Sequence, residues 1–190
     1  WQRPIDMEPW TEPLVAVVLG SHCVQVDGSS LQGMTEGEGN EDCLYLNILR
    51  PKDTPADAAL PIMFFTHGGS FVNGSGNEDS YINNPKLAEK GILVTHNYRL
   101  GSLGFLGHPK LSEEDEQLYS GTGSSGNQGI VDSIKALEWV HENAEAIGGD
   151  PNKIMIFGES AGGMSTCAML TSPFAEGLFS SALIQSIGCL

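Results

Sequence analysis

Gly158-Glu159-Ser160-Ala161-Gly162 is the stretch of this sequence best suited to chemistry. It follows the short apolar run Lys153 to Phe157 and opens onto a helix-compatible run, Gly163 to Leu170. A serine in that setting is expected on a sharp strand-to-helix turn that holds its hydroxyl clear of the backbone. The flanking glycines suit such a turn, because a side chain would collide there and glycine accepts left-handed backbone. A serine alone is a weak nucleophile. It needs a base to take its proton and donors for the oxyanion that forms on an attacked carbonyl. His67-Gly68-Gly69-Ser70-Phe71 has the character of such a donor loop. Small residues leave consecutive backbone N–H groups free to converge on one oxygen, and the Ala161 N–H at the helix start would add a third.

These residues need a scaffold. Cys43 to Leu49 alternates Leu44, Leu46 and Ile48 against Tyr45, Asn47 and Leu49, a strand pattern. Ile62 to Phe65 is a continuous apolar run, as expected of a strand buried on both faces, and His67 follows it directly. A short helix is expected from Pro85 to Lys90, then a strand at Ile92 to Val94. Gly104 to Gly126 reads as loop, and Glu113-Glu114-Asp115-Glu116 within it as a solvated charge run. Asn127 is placed to cap a helix from about Gln128 to Ala146, with Ile130, Ile134, Leu137, Val140 or His141, Ala144 and Ile147 as its buried stripe. Gly148-Gly149-Asp150-Pro151 ends it. Ser181 to Gln185 gives a last strand, of the buried type. Strands alternating with helices imply an α/β fold with a largely parallel sheet flanked by helices. Trp1 to Leu19, carrying Pro4, Pro9 and Pro13, is expected to be extended or irregular, and Asp27 to Asn40 a polar surface loop.

The chain has 190 residues, enough for a sizeable core, and 9 basic against 24 acidic residues, a net charge of −15. That charge repels nucleic acid and anionic membranes. No apolar run is long enough to span a bilayer. Trp1 is an odd beginning, and the chain reads as cut from something longer. No cluster suggests a metal, and no cofactor is expected. Of the four cysteines, Cys23 and Cys43 bracket a polar loop whose closure would contribute about 3 kcal/mol. Four cysteines allow three connectivities. Cys167 reads as a small buried apolar residue with a free thiol, and Cys189 has no assigned role.

Six ordered motifs resemble the type B carboxylesterase/lipase family, whose members include carboxylesterases, fungal lipases and cholinesterases. They are Glu41 to Asn47, His67 to Phe71, Asn97 to Gly101, Gly126 to Asp132, Gly148 to Pro151 and Phe157 to Gly163. The resemblance runs from near Trp1 to Ser186. It implies the α/β-hydrolase fold, with residues 1–190 as the N-terminal part of one such domain, truncated at both ends. It implies Ser160 as nucleophile and Gly69, Ser70 and Ala161 as oxyanion donors, with Ser70 standing where many relatives have glycine. It pairs Cys23 with Cys43 and Arg99 with Asp132, and it would pair Glu41 with an arginine just before Trp1. The substrate implied is a small-molecule or lipid ester, cleaved through an acyl-enzyme. The Cys23–Cys43 pair further implies a secreted or secretory-pathway protein.

One departure is an absence. In this fold the acid and the histidine follow the serine along the chain. After Ser160 there is one acidic residue, Glu176, and no histidine. His67 neighbours the donor loop but is structural in the family pattern; His22, His96, His108 and His141 read as ordinary surface or partly buried residues. The 190-residue chain is therefore expected to be inactive alone. A cholinesterase is the alternative substrate reading, weakened because no Trp lies between Cys23 and Cys43. A non-catalytic adhesion or scaffold relative is the other, weakened by the intact serine motif. Gly121 to Gly126 spells G-x-G-x-x-G, yet no strand precedes it, so a dinucleotide site is not expected. The sequon Asn73-Gly74-Ser75 falls within the donor-loop region and is expected to be unused.

Overall fold

The computed structural model describes residues 1–12, 14–26, 38–55, 57–119 and 123–189. Five strands form one mixed sheet in the order β1-β3-β2-β4-β5. They are β1 (Leu46–Leu49), β2 (Leu60–Thr66), β3 (Ile92–His96), β4 (Gly149–Glu159) and β5 (Ser181–Gln185). Only β1 runs antiparallel to its neighbour; β3, β2, β4 and β5 are mutually parallel. The intervening helices are α1 (Asp79–Ile82), α2 (Pro85–Ala88), α3 (Gly101–Phe105), α4 (Pro109–Tyr119), α5 (Gln128–Glu142) and α6 (Ala161–Thr171).

Register explains the core. Ile92, Ile62 and Ile154 align across three parallel strands, and so do Val94, Phe64 and Ile156. Partners in register point to one face of the sheet. All six are fully buried, and Ile134, Leu137 and Val140 of α5, with Ala144 just after it, join that cluster. On the opposite face, Phe65 meets Phe157 at 4.9 Å and Tyr81 of α1 at 4.6 Å between ring centroids.

Several expectations change. Gly104 to Gly126 is not all loop: α3 and α4 occupy much of it, while Gly121 and Thr122 of the glycine-rich motif lie outside the described residues. Pro109 opens α4 in the first-turn position where its missing N–H costs nothing. Within α4, Glu113, Glu114 and Glu116 are solvated but Asp115 is buried. Arg3 reaches it with two hydrogen bonds, 2.9 and 2.8 Å, and the Ser124 N–H adds a third at 3.1 Å. The Arg3 guanidinium holds the Asp115 carboxyl below its usual range. This contact ties the otherwise irregular N-terminal segment to α4.

Asn127 precedes α5 but its side chain makes no cap; its carbonyl accepts from Ile130 and Val131 instead. The helix stops at Glu142 rather than Ala146, followed by a 3-10 turn at Glu145–Ile147 and Gly148 at φ +85°. The segment read as loop up to Asn84 contains α1, and α2 ends at Ala88 rather than Lys90. β5 is half-exposed rather than buried on both faces, with Leu183 turned outward at the sheet edge. The surface-loop residues 27–37 lie outside the described residues, while Gln25 and Glu38 pair as an isolated bridge.

Candidate active site

β4 delivers Ser160 and β2 delivers the donor loop, and both emerge at the same end of neighbouring parallel strands. Ser160 has φ 55° and ψ −121°, a sparsely populated backbone that surrounding contacts must enforce. They do so through glycines. A Cβ on Gly158 would run into the Gly162 backbone, and one on Gly162 would strike the Thr66 carbonyl. The turn can close, and α6 can approach the end of β2, only because both are bare.

The donor loop meets the serine directly. A Cβ on Gly68 would stand 3.3 Å from Ser160 Cβ and 2.9 Å from the Glu159 carbonyl. Gly69, Ser70 and Phe71 have φ of +104°, +53° and +62°, three successive residues in left-handed backbone. For Ser70 and Phe71 this is strained. The strain turns the loop so that, among the described residues, the N–H groups of Gly69, Ser70 and Ala161 donate to no other protein group. Unspent donors on a loop that approaches Ser160, and on the residue after it, are chemically suited to receive an oxyanion. The Asn73 carbonyl and side-chain oxygen press against Gly69, so the sequon asparagine is folded into the loop.

His67 lies beneath this loop, 1% exposed, with Nδ1 2.8 Å from the Gly68 carbonyl oxygen and its ring stacked on Tyr98. Its Nε2 has no hydrogen-bond partner among the described residues, so it does not engage Ser160. Burial lowers its pKa to about 4. His96 is not a surface residue: it is fully buried, stacked on Phe64, 3.1 Å from Ser133 Oγ, with its pKa lowered to about 3 by burial and by the nearby His67.

Around the site, Asn97, which opens one of the six motifs, and Gln25, which the sequence did not single out, hold loops in place. Asn97 donates to the carbonyls of Ser21 and Cys43, both at 3.0 Å, and accepts from the Gly76 N–H at 2.9 Å. Gln25 grips Gly74 through both of its amide atoms, at 3.0 and 2.8 Å. Their one sequence signal is amide side chains beside glycine-rich loops. Cys23 and Cys43 are joined as a disulfide, with Cα atoms 4.8 Å apart. Arg99 and Asp132 form a two-point pair, with both side-chain contacts at 2.7 Å and the Arg99 N–H adding a third to the same carboxylate at 3.1 Å. Glu41 is exposed. Cys167 is only partly buried and has no free thiol: it is bonded to Cys189, which corrects the reading of Cys167 and gives Cys189 the role left unassigned. A cavity of about 560 Å³ beneath the N-terminal segment borders Trp1, Arg3, Glu41 and Arg99 but none of the elbow or donor-loop residues. Among the described residues no cluster of His, Cys, Asp or Glu could hold a metal, and no helix is long and apolar enough to cross a membrane.

A five-stranded, mostly parallel sheet with a strained serine between strand and helix defines an α/β-hydrolase fold. The Carboxylesterase family profile matches residues 1–190, and the chain belongs to that family. It is 46% identical to fumonisin B1 esterase of Sphingopyxis macrogoltabida over 99% of this chain and 34% of that protein. It is 44% identical to para-nitrobenzyl esterase of Bacillus subtilis over 98% of this chain and 36% of that protein. A solved PNB esterase superposes with a TM-score of 0.80 at 41% identity, covering 97% of this chain and 36% of that one. The chain thus spans about a third of the length of these relatives.

Proposed function

We propose that this chain supplies the nucleophile and oxyanion donors of a serine ester hydrolase acting on small-molecule or lipid carboxylic esters. The observation that supports the reading is the close approach of the loop at Gly68 to Ser160, a serine in strained backbone, while among the described residues the N–H groups of Gly69, Ser70 and Ala161 donate to no other protein group. Ser160 Oγ attacks the ester carbonyl carbon, and the π electrons move onto its oxygen. Gly69, Ser70 and Ala161 accept that charge through their N–H groups, each contributing about 3–4 kcal/mol of transition-state stabilisation. Collapse expels the alcohol, which takes a proton, and leaves an acyl-enzyme that water then cleaves.

No histidine follows Ser160 within the 190 residues, and His67, buried with its Nε2 unpartnered among the described residues, makes no hydrogen bond to Ser160; on this reading the base and the acid that orients it lie elsewhere in the full-length protein. The esterase names of the relatives support the substrate class. Two disulfides support an oxidising, secretory or extracellular setting. In the test, the full-length protein hydrolyses p-nitrophenyl esters and a fluorophosphonate labels Ser160. Ser160→Ala loses both, and the 190-residue chain alone shows no turnover. A full-length protein that neither hydrolyses nor labels overturns the reading.

A further inference from the structure

The chain leaving β5 runs along the first turns of α6. The Ser160 N–H donates to the Gln185 carbonyl at 3.0 Å, so β5 ends against the elbow itself. Ser186 then turns in left-handed backbone, φ 63°. Ile187 follows, its Cγ2 2.7 Å from where a Cβ on Gly163 would stand, so a larger residue at 163 would push it aside. Two residues further, Cys189 is bonded to Cys167, with Cα atoms 5.7 Å apart. Positions 163 and 167 are four residues apart on one stripe of α6, and Ser160 stands just before its first turn. Residues 185, 187 and 189 lie against these three positions in order, a strap closed by a covalent bond.

The strap has a consequence for the reaction space. Ile187 sits on the first turn of α6, the turn that opens with Ala161 directly after Ser160, and it remains 41% exposed. Among the described residues this apolar side chain lies against Gly163 and joins neither hydrophobic core cluster. What it meets is whatever lies along the first turn of α6 when a carbonyl occupies the site. We propose that Ile187, held in place by the Cys167–Cys189 bridge, determines specificity on one flank of Ser160. It limits the bulk of the ester substituent that lies along the start of α6. Cys167 and Cys189 are positioning residues for it.

This inference rests on the esterase reading, and the test separates the two. In the full-length protein, kcat/KM is measured for p-nitrophenyl esters of increasing acyl bulk and for acetate esters of increasing alcohol bulk. Ile187→Gly is expected to raise the bulky-to-small ratio about tenfold in one series, with the smallest ester changed less than threefold. Ile187→Trp lowers the same ratio. The Cys167→Ala/Cys189→Ala pair shifts it in the direction of Ile187→Gly, and hydrogen exchange in the peptide spanning Ser160 to Cys167 speeds up. Wild-type activity with both ratios unmoved by Ile187→Gly overturns this inference and leaves the esterase reading intact. Unchanged exchange and selectivity in the bridge-free pair overturn the role of the bridge. A wild-type protein without hydrolysis or fluorophosphonate labelling overturns the esterase reading, and the specificity role with it. Ile187→Gly keeps the proposal open to refutation if the bridge-free pair does not fold.

Discussion

The Tyr98 hydroxyl donates to the His67 carbonyl at 2.9 Å, and the two rings stack at 4.4 Å between centroids. That carbonyl lies at the exit of β2, where a Cβ on Gly162 would also strike it. One hydrogen bond therefore fixes the point at which the donor loop leaves the sheet and the elbow packs against it. Tyr98→Phe keeps the ring and strands a buried acceptor, which costs about 1–3 kcal/mol. Denaturant unfolding of the wild-type and variant chains measures it, and equal midpoints would show that the hydroxyl contributes nothing.

Acid should destabilise the fold before its carboxylates titrate. His67 and His96 are held neutral, with pKa values lowered from 6.5 to about 4 and about 3. The unfolded state takes up these protons as pH falls below 6.5, whereas the folded state does not until its own lower values. Stability is thus fully present above pH 6.5 and falls by about 1.4 kcal/mol per pH unit for each histidine below it. Between pH 6.5 and 5 the two together remove about 3 kcal/mol. His96→Asn should flatten the slope in that window by about half, as read from unfolding midpoints across pH.

Arg99 and Asp132 tie the exit of β3 to α5. The Asp132 side chain is fully buried and that of Arg99 is 17% exposed. Asp132→Ala leaves a guanidinium with its partner gone, at a cost of about 3–5 kcal/mol. Replacing both residues with apolar ones of similar volume should cost much less, because no charge remains to be desolvated. A double-mutant cycle on unfolding free energy distinguishes the two outcomes.

Thiol chemistry should count no reactive cysteine before reduction and four after it. The two bridges close sequence separations of 20 and 22 residues, so each contributes about 3 kcal/mol in the chain-entropy model. Two reactive thiols in the folded, unreduced chain would contradict the Cys167–Cys189 bond.

Elements whose signals are local were legible in the residues. Ile62 to Phe65 and Ile92 to Val94 read as strands because a parallel sheet buries both of their faces. The α5 stripe read as a helix because its apolar residues recur every three or four positions. Gly158 and Gly162 marked the elbow because a tight turn excludes side chains whatever surrounds it. α4 was hidden, since its acidic residues resemble a solvated loop until Arg3 is seen to reach Asp115 from the far end of the chain. Likewise nothing beside His96 in sequence indicates that β1, β2 and α5 enclose it.

By itself, then, the sequence determined that a serine would stand on a strained turn, with a glycine-rich donor loop after another strand. Both follow from local sterics. Only the tertiary structure decided that Gly68 touches Ser160, that Cys167 bonds Cys189, and that Ile187 lies on Gly163. Those contacts depend on which strands lie side by side and in what register. That arrangement is set by burying the sheet's two faces against helices from distant parts of the chain, and no local spacing encodes it.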